Sequence, residues 1–171
     1  MICPTCGATV PEVPLGSPTH AYVGAPAACW AAFGRLQADE MARFGYPAPA
    51  HRLVVDAYMA SHPGDGADRR DRQSVFVHLR ALGARFAQGR TEEQVSAQMR
   101  RAPVPRPHYP LLTPPPHRAG LNLNSMEGAP DLSTYTARAW AWASSVWDSW
   151  SHEHSRILTW QTPDRPSQGT A

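Results

Sequence analysis

Apolar side chains recur at helical spacing in four stretches of this chain. Cys29, Trp30, Phe33, Leu36, Gln37 and Met41 fall on one helical face. Pro26 suits the first turn of that helix and Gly45 sits where it would end. A second helix is predicted from about Pro49 to His62, stopped by Pro63-Gly64, with His51, Val54, Val55, Tyr58 and His62 in one stripe. After a polar loop from Asp65 to Asp71, a third helix carries Val75, His78, Leu79, Leu82 and Phe86 on one face, with Gly89 just beyond. Thr91 and Gln94 form a capping box, which predicts a short fourth helix over Glu92–Arg101.

Asp131 or Ser133 then caps a long last helix that ends near Thr159. Trp140, Trp147 and Trp150 share a face there and are read as core, with His154 in the same stripe. Trp142 and Trp160 fall off that face, where they can cover the Pro-rich stretch that precedes the helix, or a partner. Two segments show no helical period. Residues 1–25 are rich in Pro and Gly and read as an irregular arm. Pro103, Pro105, Pro107, Pro110 and Pro114-Pro115-Pro116 forbid helix between 102 and 130. Tyr109, Leu111 and Leu112 make that stretch a packed strap rather than a passive linker. The expectation is an all-α fold in one domain over 1–171: a metal-tied arm (1–25), four helices (26–101), the strap (102–130), a Trp-rich helix (131–160) and a flexible tail (161–171).

Composition narrows the class. A chain of 171 residues suits one domain with its own core. No apolar run approaches the roughly 20 residues of a membrane span, so no membrane association is expected. The first residues lack the basic-then-apolar pattern of a secretory leader. With three cysteines, an odd number, a disulfide framework is disfavoured and a reducing, cytoplasmic compartment is expected. All sixteen basic residues are Arg, but they are scattered among acids, as in Asp68-Arg69-Arg70-Asp71-Arg72, and net charge is only +2. Without a concentrated basic face, nucleic acid is not an expected partner.

The chemistry concentrates at the start. Cys3-Pro4-Thr5-Cys6-Gly7 has the two-residue gap that lets two sulfurs bind one ion, with Gly7 supplying the open dihedral of the turn. Cys29 is the remaining cysteine. His20 is the nearest histidine, and His51 or His62 can replace it. The set Cys3, Cys6, His20 and Cys29 therefore reads as a closed zinc site. A redox Cys-x-x-Cys normally follows a strand and opens a helix, which is not the pattern here, and two free thiols at a frayed end are the plain alternative. Further along, His51, His62, His78 and His154 sit on apolar faces. Such histidines can build a metal or acid–base centre in a bundle, with Asp56 to orient an imidazole, or simply be hydrogen-bonded core residues. Asp56, His62 and His78 are the candidate catalytic residues and are expected in one neighbourhood, although no metalloenzyme spacing such as His-Glu-x-x-His occurs.

The combination Cys-Pro-x-Cys-Gly, Thr19-His20-x-Tyr22, Cys29-Trp30, His51-x-Leu53-x-Val55-Asp56-Ala57-Tyr58 and His62-Pro63-Gly64 resembles a bacterial family known as a domain of unknown function. Ser74-Val75-x-x-His78-Leu79 and Trp147-x-x-Trp150-Ser151 extend the resemblance over most of the chain, apart from Ala102–Asp131. The resemblance implies that His20 and Cys29 belong with the knuckle and that Asp56, His62 and His78 are part of the pattern. It brings no activity. Three functions remain, in this order: a zinc-stabilised binding or adaptor domain with a protein or small-molecule partner; a metal-dependent, hydrolase-like enzyme using the inward histidines; and a sensor in which thiol oxidation releases zinc.

Overall fold

The computed structural model describes residues 1–100 and 108–160. The first part of the Pro-rich stretch, the last residue of the predicted fourth helix and the predicted tail lie outside the described residues. Six α-helices follow in order: α1 (Ala27–Phe44), α2 (His51–Ala60), α3 (Arg69–Phe86), α4 (Glu92–Arg100), α5 (Leu132–Ser149) and α6 (His154–Thr159). Short 3-10 turns occupy Leu123–Met126 and Ser151–Glu153. No strand occurs among the described residues; a single antiparallel bridge joins Ile2 and Thr9. The all-α class is as the periodicity predicts. Among the described residues no helix is long and apolar enough to cross a membrane.

Local chemistry explains several helix ends. The Gly45 N–H returns to the Met41 carbonyl with φ 77°, closing α1. Asp68 and Asp131 cap α3 and α5 through Arg70 N–H and Thr134 N–H. The capping box of α4 forms as predicted, with Thr91 N–H donating to Gln94 Oε1 at 2.9 Å and Gln94 N–H to Thr91 Oγ1 at 3.4 Å.

The core is organised around α2, which packs on α3 and α5. Leu53, Val54, Asp56, Ala57, Tyr58 and Ala60 are all buried, so α2 is enclosed nearly all round rather than along one stripe. On α1 the buried residues are Ala28, Cys29, Phe33 and Glu40, and Met41 is exposed. The predicted stripe thus turns inward at Glu40, one residue earlier. Phe33 stacks on Tyr58 with centroids 3.8 Å apart, which joins α1 to α2.

The predicted long last helix is two helices. Its path breaks after Trp150, whose indole N–H donates to the Ala60 carbonyl at the end of α2, at 3.2 Å. That bond satisfies a helix-terminal acceptor that burial would otherwise leave unpaired. The tryptophan assignment also changes. Trp142, Trp147 and Trp150 are buried, and Trp140 is 45% exposed against Phe86. The phase is set by Tyr135, Ala139, Ala143 and Val146, whose stripe places Trp140 roughly 100° from its centre and Trp142 nearer.

Along the strap, Tyr109 and Leu112 are buried and Leu111 is exposed. Trp160 stacks on Tyr109 at 5.2 Å, so that tryptophan does cover the strap. The strap is laced down by Thr113 N–H to Glu153 (2.8 Å), Arg156 to the Leu111 carbonyl (2.8 Å) and Leu121 N–H to Ser145 (3.1 Å).

Trp142→Ala is expected to cost about 3–5 kcal/mol of unfolding free energy, and Trp140→Ala about 1 kcal/mol or less. Urea denaturation of the two variants checks this. Equal losses would contradict the observed helix phase.

Candidate metal centre

The knuckle turn is built as the Cys-Pro-Thr-Cys-Gly sequence requires. Cys3 N–H donates to the Ala8 carbonyl at 2.8 Å, and Gly7 N–H returns to the Cys3 carbonyl at 3.0 Å. Gly7 holds φ 77°, a conformation that other residues adopt only with strain. Backbone amides of Cys6 and Ala8 point at the Cys3 and Cys6 sulfurs. Cys29 comes from the first turn of α1 and His62 from the chain just past α2.

The four donors Cys3, Cys6, Cys29 and His62 are buried, and their ligand atoms all lie within 4.8 Å of one another. Cys6 and Cys29 sulfurs are 3.8 Å apart, and His62 Nε2 is 3.7 Å from Cys3 Sγ and 3.3 Å from Cys29 Sγ. A tetrahedral ion with metal–sulfur bonds of about 2.3 Å and a metal–nitrogen bond of about 2.0–2.1 Å needs donor separations of about 3.6–3.8 Å. The three separations given are within about half an ångström of that spacing, and the widest in the cluster, up to 4.8 Å, would close by about 1 Å around an ion, so the cluster can hold a metal ion with a small contraction. Among the described residues no other group of three or more Cys, His, Asp or Glu donors converges this way.

Surrounding bonds orient the donors. His62 Nδ1 donates to the Tyr58 carbonyl at 2.7 Å, which fixes the tautomer and leaves Nε2 to face the sulfurs. The Tyr58 hydroxyl donates to Cys29 Sγ at 3.6 Å. Gly24 N–H donates to the His62 carbonyl at 3.0 Å, holding the end of the arm against the residue after α2. A Cβ on Gly24 would stand 2.3 Å from the Pro63 carbonyl oxygen, so only glycine permits this approach. The donors also compete for protons. Hydrogen bonds from Cys29 and then Cys6 hold the Cys3 thiol below its ordinary pKa, while the same contacts with Cys29 and Cys3, added to burial, push Cys6 above it. Burial works to lower His62, but the Cys29 and Cys3 sulfurs push it up to about 9. A cation at the centre relieves this competition.

The cluster corrects the predicted ligand set. His20 does not join it. Its ring packs against Tyr22 at 4.5 Å and Trp30 at 4.9 Å, and its Nδ1 accepts from Tyr22 N–H at 3.4 Å. His62, the alternative, takes the fourth place because the end of α2 returns to the arm through Gly24.

The predicted neighbourhood of Asp56, His62 and His78 is therefore divided. His62 belongs to the cysteines. Asp56 and His78 do meet, with His78 Nδ1 donating to Asp56 Oδ1 at 2.7 Å. Arg85 reaches the other Asp56 oxygen at 2.7 Å and bridges to Glu92 at 2.6 Å, and Arg52 approaches Asp56 at 3.1 Å. Burial would raise the Asp56 carboxyl, but the His78 hydrogen bond and the charges of His78, Arg52 and Arg85 outweigh it and hold it below its ordinary range. The other inward histidines have separate partners. His51 donates to Glu40 at 3.2 Å, while the Tyr135 hydroxyl donates to the other Glu40 oxygen at 2.9 Å. His154 stacks on Trp147 at 3.7 Å. Glu40 escaped sequence reading because a lone acid beside Met41 has the look of a solvated position; the counter-signal is its place on the face of Cys29 and Phe33.

Two outcomes follow. His62→Ala is expected to abolish metal retention, as Cys3→Ser does, while His20→Ala keeps it; elemental analysis of the purified variants decides. Asp56→Asn leaves the buried Arg85 with only the half-exposed Glu92 as counter-ion and strips Arg52 and His78 of theirs, and is expected to cost about 3–5 kcal/mol. Folded Asp56 binds fewer protons than unfolded Asp56, so its contribution is complete above about pH 4 and is lost as pH falls through its lowered folded-state value. Urea midpoints between pH 3 and 7 should show a shallower acid limb in Asp56→Asn.

Residues 1–151 match a family of unknown function, DUF5946. The match covers most of the chain, which therefore belongs to that family. No curated protein and no solved structure matches it.

Proposed function

We propose, for this member of a family without an assigned activity, that the chain is a zinc-stapled helical binding module whose metal is structural. The observation that carries this is the closure of the site: three sulfurs and one imidazole fill a tetrahedron, leaving no position for substrate or water. Three thiolates with one imidazole favour zinc over harder cations. When bound, the ion supplies cohesion between the arm, α1 and α2, and no chemistry. Its partner is a protein or a small molecule; the scattered arginines offer no nucleic-acid face. Free thiolates persist in a reducing compartment, so a cytoplasmic location goes with this reading.

One observation favours a second reading. Asp56 and His78 form a carboxylate–imidazole pair at 2.7 Å, and such a pair can move a proton. Asp56 also neutralises Arg85 and Arg52, which suits an ion-pair lock between α2 and α3 better than a base.

The protein as isolated is expected to hold one zinc per chain. Replacement by cobalt(II) should give the absorption of a tetrahedral thiolate site, unchanged by added azide. A spectrum that shifts with azide would reveal an open coordination position and overturn the structural reading. Chelation should release the arm while far-ultraviolet circular dichroism keeps most of its helical signal, since α2, α3 and α5 bury their own apolar faces.

A further inference from the structure

The four donors are not equally sealed. Cys3 and Cys29 have no exposed surface, and Cys6 keeps 6%. Cys6 is also the only donor that lines a cavity of about 100 Å³ between the knuckle, the end of α2 and the strap. Thr5, Ser61, Pro115, Arg118 and Trp150 are among its walls. Arg118 is held beside the knuckle by its bond to the Pro4 carbonyl at 2.8 Å. The space admits a few water-sized molecules but not a peptide or a nucleotide. A resolving partner is in place, since Cys29 Sγ stands 3.8 Å from Cys6 Sγ.

We propose that Cys6 is a modification site: hydrogen peroxide reaches its zinc-bound thiolate through this cavity, and the resulting Cys6–Cys29 disulfide opens the staple. The Cys6 sulfur attacks one peroxide oxygen; an S–O bond forms, the O–O bond breaks, and the departing hydroxide takes a proton to become water. The Cys29 sulfur then attacks the Cys6 sulfenic acid. An S–S bond forms, the S–O bond breaks, and the second oxygen leaves as water after taking a proton. Two thiolates, one peroxide and two protons give one disulfide and two waters; the sulfurs lose two electrons and peroxide gains them. Cys3 and His62 alone cannot retain the ion, so zinc departs and the tie from the arm and α1 to the end of α2 is lost. A thiol reductant with zinc restores it.

This inference rests on the zinc reading, and the experiment separates the two. Zinc content of the untreated full-length protein tests that reading; the identity of the oxidised cysteine tests the inference. The zinc-loaded chain is titrated with hydrogen peroxide, with and without dimedone as a sulfenic acid trap. Released zinc is followed with a chromogenic chelator, and peptides are mapped by mass spectrometry. The expected result is a dimedone adduct on Cys6 first and, without the trap, one zinc released per Cys6–Cys29 disulfide. First adducts on Cys3 or Cys29, or a Cys3–Cys6 disulfide, would overturn it. Ala119→Leu, which narrows the cavity away from the donors, should slow Cys6 oxidation several-fold at unchanged zinc content; an unchanged rate would exclude the cavity route. If that variant does not fold, the cysteine map of the unaltered chain still decides.

Discussion

Four electron-rich donors from three separate segments meet inside the protein, within 4.8 Å of one another. Buried sulfur and imidazole groups at that spacing either share protons awkwardly or share a cation, and the second is far more favourable. Much of the molecule is arranged to make the meeting possible. The knuckle turn presents two sulfurs, α1 begins so that its first turn presents a third, and α2 ends so that the chain delivers His62. The Gly24–His62 contact, the Phe33–Tyr58 stack and the Tyr58–Cys29 bond all hold these segments together. Tyr58 serves the site twice, since its hydroxyl meets a sulfur and its carbonyl fixes the His62 tautomer.

Away from the cysteines, the interior tolerates charge only where it is paired. Asp56 is surrounded by His78, Arg52 and Arg85, and Glu40 by His51 and Tyr135. Both systems involve α2, the helix enclosed on nearly every side. An isolated carboxylate there would cost several kcal/mol, so each acid comes with donors that remove most of the penalty. These pairs tie α2 to α3 and α1 to both α2 and α5, a directional complement to apolar packing. They also account for two of the four inward histidines, His51 and His78, each of which matches a buried acid.

Different features were legible to different degrees. The knuckle could be read because its chemistry is local: two sulfurs two residues apart with a glycine after them. Helix existence could be read because apolar spacing and capping residues such as Thr91, Gln94 and Asp131 act over a few residues. The fourth donor could not be settled that way. His20 is near the knuckle along the chain, but the end of α2 is near it in space. The tryptophan-rich segment misled for a related reason. Counting its largest side chains put Trp140 inside, whereas small residues, Ala139 and Ala143, set the buried face and brought Trp142 in.

By itself the sequence determined an all-α protein, three cysteines disposed to bind one ion, and the boundaries that proline, glycine and capping residues impose. These rest on interactions within a turn or two of chain. The tertiary structure decided that His62 rather than His20 faces the sulfurs, that Asp56 pairs with His78 and Arg85, and that the last helix breaks at Trp150 so that its indole reaches Ala60. Each of those choices joins residues distant in sequence. It is made by which helix packs beside α2, and no local period or spacing carries that information.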